Sequence, residues 1–174
     1  MTTIVDIDDA NRITDAIYQA LVDADYTEPL HEIADYLREI HAGFFASETS
    51  PTGAPWTPWY FRRLGADPNH RTLDDTGRLR ESLQGGPDHI ENIHSRDLEF
   101  GTSVPYAYQH QIGGEFTVGQ FLVGRNGGAR HVGQTINLPK REFLGINPTH
   151  LEQIGETVAR SAARQMIDAI DGSL

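Results

Sequence analysis

Leu138-Pro139-Lys140-Arg141-Glu142-Phe143-Leu144-Gly145 is the stretch on which the fold turns. Pro139 and Gly145 fix the backbone where periodicity would otherwise run on, because proline locks φ and lacks an N–H while glycine admits conformations closed to other residues. Between them a basic pair and an acid lie directly against Phe143 and Leu144. On the N-terminal side Val132, Ile136 and Leu138 follow the alternation of a strand. On the C-terminal side Leu151, Ile154, Val158, Ala162, Ile167 and Ile170 recur at helical spacing, with Thr149 and Glu152 as a capping box and Gly172 as a stop. The stretch therefore reads as a junction that fixes how a sheet meets a long final helix.

Upstream of the junction the chain is β-like from Glu115. Phe116 and Val118 share one phase and Phe121 and Val123 the opposite one, which a bulge or turn at Gly119 reconciles, and Asn126-Gly127 supplies a tight hairpin turn. Ile90 to Ile93 and Leu98-Glu99-Phe100 predict a second hairpin across a polar turn. Asp74 to Leu83 reads as a short helix, capped by Asp75 or Thr76 and ended by Gly85-Gly86-Pro87.

The strongest helical run opens at Pro29, with Leu30, Ile33, Ala34, Leu37, Ile40, Phe44 and Phe45 on one face and Gly43 as an interior defect. Ile13, Ile17 and Leu21 give a shorter helix before it. Ser50 to Trp59 is an ordered loop, broken by prolines, whose Trp56 and Trp59 are either core plugs or interface anchors. Helices and strands are segregated along the chain, which argues α+β: an antiparallel sheet with a β-hairpin, packed by a long N-terminal-half helix and a long C-terminal helix. Residues 1–28 read as an acidic N-terminal arm with a short helix, and 29–174 as a single domain.

The 174 residues suffice for one domain with a real core and are too few for two ordinary ones. The chain is 38% hydrophobic with a mean hydropathy of -0.45, and no apolar run approaches the ~20 residues of a bilayer span, so membrane insertion is not expected. The N-terminus carries neither the positive start nor the apolar stretch of a secretory signal, which places the folded chain in the cytoplasm where it is made. There are no cysteines, so stability must come from packing without disulfides or thiolate sites. With 14 basic against 25 acidic residues, the net charge of -11 disfavours binding to nucleic acid, and Arg62-Arg63 and Lys140-Arg141 read as dispersed surface cations.

Eight histidines invite a metal or catalytic reading, but none makes a tight constellation. His110 lies between Gln109 and Gln111, and His89 and His94 fall on a strand pair without the carboxylate of a two-His-one-carboxylate site. Adjacent Asp74 and Asp75 point in different directions at a helix start, where capping explains them better than paired catalysis. Gly124-Arg125-Asn126-Gly127-Gly128 lacks the Gly-Lys-Ser/Thr ending of a phosphate loop, and there is no Gly-x-Ser-x-Gly elbow. No catalytic, cofactor-binding or metal-ligating residue is expected.

A collinear set of segments carries a resemblance. Phe44-Phe45, Pro51, Gly53 and Trp56-Thr57-Pro58 come first, followed by Leu73 with Thr76-Gly77-Arg78-Leu79-Arg80-Glu81-Ser82. Phe100-Gly101-Thr102 follows, with Tyr106-Ala107, His110-Gln111 and Gly113, and the set closes with Pro139, Arg141, Phe143, Leu144 and Gly145. In this order they resemble the phage virion morphogenesis family, which includes tail completion proteins of Mu-like contractile-tailed phages. The resemblance spans roughly residues 30 to 170 and leaves the arm outside it. The 115–134 region is long for the corresponding family loop.

The resemblance implies a non-enzymatic structural protein of a phage or prophage. Such a protein acts in tail completion or head-tail joining, as one copy in a homo-oligomeric ring in contact with other tail or neck proteins. It works without a cofactor, direct nucleic-acid contact or membrane, and it is located in the virion and, during assembly, in the host cytoplasm. Trp56, Trp59, Tyr106, His110, Gln111, Pro139, Arg141, Phe143 and Leu144 are its interface or structural residues, with the Arg125-Asn126 hairpin tip a further docking candidate. The competing reading is a small metal-dependent hydrolase or nuclease of prophage origin using Asp74, Asp75 and histidines. An acidic DNA mimic that inhibits a host enzyme ranks last, because the acids are dispersed among helices.

Overall fold

The computed structural model describes residues 7–58, 71–117 and 135–173. In chain order the elements are α1 (Ile7–Val22), α2 (Thr27–Ser47), α3 (Arg78–Glu81), β1 (His89–Ile93), β2 (Leu98–Thr102), α4 (Ala107–Ile112), β3 (Gly114–Thr117), β4 (Thr135–Leu138) and α5 (Pro148–Ser173). The fold is α+β. Among the described residues the strands form two separate two-stranded sheets, β1-β2 and β3-β4. The β1-β2 hairpin closes through the His94 amide, which donates to the Asp97 carbonyl at 2.9 Å. In the antiparallel β3-β4 pair Phe116 stands opposite Ile136 and Gly114 opposite Leu138. Val118, Gly119, Phe121, Val123, the Asn126-Gly127 turn and Val132 lie outside the described residues, as do Trp59 and Arg62-Arg63.

The chain divides into two compact units. The first takes in α1, α2 as far as Tyr36, Glu91–Glu99 and α5. Here α1 packs along α5, presenting half-buried Ile13, Ala16, Ile17 and Ala20 at the three- and four-residue steps of one helix face. From α5, Ile154, Val158, Ala162 and Ile170 are half-buried, whereas Leu151 and Ile167 are exposed, as are Tyr18, Leu21 and Val22 on α1. The apolar stripes are thus narrower than expected: small Ala20 takes the packed position that Leu21 was predicted to fill.

The connection from α1 to α2 is held by backbone recognition. Gln165 pairs both ways with Asp25, accepting from its amide at 3.2 Å and donating to its carbonyl at 3.1 Å. The Tyr26 amide donates to the Ser95 carbonyl at 2.7 Å, and Arg96 donates to the Val22 carbonyl. At the start of α2 the Asp25 carboxylate accepts from the Thr27 hydroxyl at 2.6 Å and amide at 2.9 Å, bonds that hold its pKa below the ordinary value. The helix therefore begins two residues ahead of Pro29, which sits in the first turn, where its missing N–H costs nothing. The helix α5 likewise begins at Pro148, so Thr149 lies inside its first turn instead of capping it, and Gly172 lies in its last turn.

The second unit comprises Leu37–Ile90 and Phe100–Asn147. Its core gathers Phe44, Phe45, Trp56, Leu79, Leu83, Val104, Ala107 and Phe143, with Ile40, Leu73, Phe100 and Leu144 packed against them. Phe45 meets Trp56 edge to face with ring centroids 5.3 Å apart, and Phe143 lies 6.1 Å from Phe45. The short α3 is capped by Gly77 at φ 77 with no side-chain cap, so neither Asp75 nor Thr76 occupies the N-cap position. The segment after β2 forms the helix α4, ended by Gly113.

Candidate functional site

Residues 139 to 147 belong to no helix or strand, so their backbone groups need partners that regular structure does not supply. Side chains from the rest of the second unit provide them. The Gln111 Oε1 accepts from the amides of Phe143 and Leu144, each at 3.1 Å, while its Nε2 donates to the Leu144 carbonyl at 2.7 Å. The Trp56 indole N–H donates to the Glu142 carbonyl at 2.9 Å, and His41 Nε2 accepts from the Gly145 amide at 3.2 Å. Asn147 donates to the Pro51 carbonyl at 3.2 Å.

Two glycines permit the close approach. Gly113 has φ 63, and a Cβ there would stand 2.5 Å from the Lys140 nitrogen and 2.7 Å from its Cα, so only a residue without a side chain lets α4 end against the junction. Gly145 has φ 154 and lies against Pro51, where a Cβ would come within 3.2 Å of Cγ.

Arg141, read from the sequence as a surface cation, is instead the largest fully buried side chain among the described residues, 1% exposed. Its backbone amide donates to the His110 carbonyl at 2.8 Å, its Nε donates to the Thr57 carbonyl at 2.8 Å, and a second guanidinium nitrogen reaches the Pro58 carbonyl at 3.5 Å. Burial lowers the pKa of this guanidinium, which stays charged nonetheless because arginine does not deprotonate in proteins. Backbone carbonyls take over part of the solvation that water would otherwise give it. The neighbouring Glu142 pairs with Lys140 at 2.9 Å at the surface.

His110, on α4, is pushed down to about 4, first by burial and second by the Arg141 charge, so it is neutral near pH 7. Its Nδ1 has no hydrogen-bond partner among the described residues, and Tyr106 meets its ring edge-on at 6.1 Å.

The other predicted positions divide clearly. Trp56 and Phe143 are buried in the core, Leu144 and Pro139 are half-buried, and Pro139 follows the last residue of β4. Tyr106 is 40% exposed and precedes α4, whose Tyr108 is also exposed. Gln111, His110, Arg141, Phe143, Leu144 and Trp56 come together around the junction. Trp59 and the Arg125-Asn126 tip lie outside the described residues.

His41 is the member that sequence reasoning missed. Its signal was present, since it falls four residues after Leu37 and three before Phe44 on the apolar stripe of α2.

Two of the residues weighed for chemistry, Asp74 and His89, are held in structural contacts. Both carboxylate oxygens of Asp74 lie 3.1 Å from Arg80 Nε, and His89 Nδ1 lies 2.7 Å from the Ser82 carbonyl. Among the described residues no group of three or more His, Cys, Asp or Glu side chains stands together as a metal site, and no helix is long and apolar enough to cross a membrane.

Fold and junction together define a structural framework, in which polar side chains hold one irregular segment in place. The chain belongs to the phage virion morphogenesis family, whose model matches residues 5–162. The match takes in α1 as well as the segments that carry the resemblance, and so reaches further toward the N-terminus than those segments do. No curated protein and no solved structure matches the chain.

Proposed function

We propose that the chain is a non-enzymatic structural protein of a phage or prophage particle that acts in tail completion or head-tail joining. It works as one copy in a homo-oligomeric ring that contacts other tail or neck proteins, in the virion and, during assembly, in the host cytoplasm. The observation that carries this reading is family membership over residues 5–162. The junction supports it: Arg141, Gln111 and Trp56, three members of the family-like segments, bond backbone groups of their own unit, as expected of a building block. The exposed Tyr106, together with Trp59 and the Arg125-Asn126 tip, is assigned to contacts with neighbours.

Deleting the gene in its phage tests the reading. Full heads and tails that accumulate without joining are the expected result. Normal infectious particles would overturn it.

A further inference from the structure

His41 is 1% exposed, and both of its ring nitrogens are engaged. Nδ1 lies 2.6 Å from the carbonyl of Leu37, an oxygen that can only accept, so Nδ1 carries the proton. Nε2 lies 3.2 Å from the Gly145 amide, a group that can only donate, so Nε2 must be bare. The two contacts together fix the neutral Nδ1–H tautomer. A second proton would have to enter at Nε2, where it would face the Gly145 N–H and remove the acceptor that amide uses.

We infer that His41 is an acid-sensitive latch, which holds Gly145 and the end of the junction against α2 while neutral and releases them on protonation. Phe44, from the same helix, meets the His41 ring edge to face at 5.4 Å, and Phe100, from β2, lies at 5.3 Å. Neither ring offers an acceptor for the new N–H.

The next titratable side chain along these contacts is His89 of β1, edge-on to Phe100 at 5.2 Å and bonded at Nδ1 to the Ser82 carbonyl. From the junction the charged groups are buried Arg141 and the surface pair of Lys140 and Glu142. The titratable group of α4 at the junction is His110, which burial and the Arg141 charge hold neutral near pH 7. Protonating either histidine adds positive charge to a unit that already buries a guanidinium. Breaking the Nε2 contact frees the Gly145 amide, while Gln111 still holds Phe143 and Leu144, so the opening is local to the end of the junction.

The test is nitrogen NMR of the isotope-labelled full chain, titrated from about pH 7.5 to about pH 4.5, the range over which histidines change charge. At the upper end the His41 ring should show the Nδ1–H tautomer. As His41 takes up its second proton, the Gly145 amide should shift in step and its hydrogen-exchange protection should fall about tenfold, the worth of one buried hydrogen bond.

His41→Gln, which does not titrate, should remove that step at Gly145, and His110→Gln should leave it in place. An Nε2–H tautomer at the upper end, or a Gly145 amide that stays put while His41 is protonated, would overturn the inference. Both readouts come from the unmodified chain, so they stand even if His41→Gln does not fold.

Discussion

Gln111 binds the backbone of Leu144 from both sides, donating to its carbonyl at 2.7 Å and accepting from its amide at 3.1 Å. One side-chain amide thereby does what a neighbouring strand would do, in a segment that has none. The same oxygen also accepts from Phe143, whose ring is buried in the core, so the polar clamp and the apolar anchor act on one residue pair.

Replacing Gln111 by Ala removes all three bonds and leaves two amides and a carbonyl short of partners. The expected loss is about 2–3 kcal/mol, read as a lower urea midpoint at unchanged slope. Gln111→Glu keeps an acceptor but turns an oxygen toward the Leu144 carbonyl, so it should fall between wild type and Gln111→Ala. A midpoint equal to wild type for Gln111→Ala would show that the clamp contributes nothing to stability.

The two glycines Gly113 and Gly43 should respond to alanine with opposite signs. At Gly113 the new methyl meets the Lys140 backbone at 2.5 Å and the φ of 63 is unfavourable, so Gly113→Ala should cost about 3 kcal/mol or more. At Gly43, exposed within α2, a Cβ meets nothing within 4 Å, and Gly43→Ala should gain about 0.5–1 kcal/mol. Thermal unfolding of the two variants beside wild type checks both signs in one experiment.

Stability should depend on pH through His110. Its folded pKa, about 4, lies below the ordinary 6.5, so the unfolded chain binds the proton more readily. The contribution is complete above about pH 6.5 and is lost as pH falls toward about 4. Subtracting the pH profile of His110→Gln from that of wild type should therefore leave a curve that declines across this window and is flat above it. A flat difference throughout would mean that His110 titrates equally in both states.

The sequence made the elements legible, and with them the place of the junction. The α2 stripe from Leu30 to Phe45 and the spacing of Ile154, Val158 and Ala162 are local patterns, and Pro139 and Gly145 mark where such patterns stop. The partners of the junction were not legible as partners. Gln111, Trp56 and His41 stand far from it in sequence, and no periodicity records which buried carbonyl an indole or amide will meet. Spacing also overestimated the packed stripes, since Leu151, Ile167 and Leu21 match the pattern yet face outward, while Ala20 fills a packed position. The role of Gly113 depends on Lys140, a neighbour that only the folded unit brings close.

The central claim is that the family-like junction serves the fold from within, and Arg141 is where this can be measured most directly. Its guanidinium is buried, with the Thr57 carbonyl at 2.8 Å, so Arg141→Ala opens a cavity and strips carbonyls of their donor. The measurement is the unfolding free energy of the purified Arg141→Ala chain. A loss of about 3 kcal/mol or more is the predicted result. A chain as stable as wild type that no longer supports particle assembly would contradict the account and place Arg141 at a contact with another subunit.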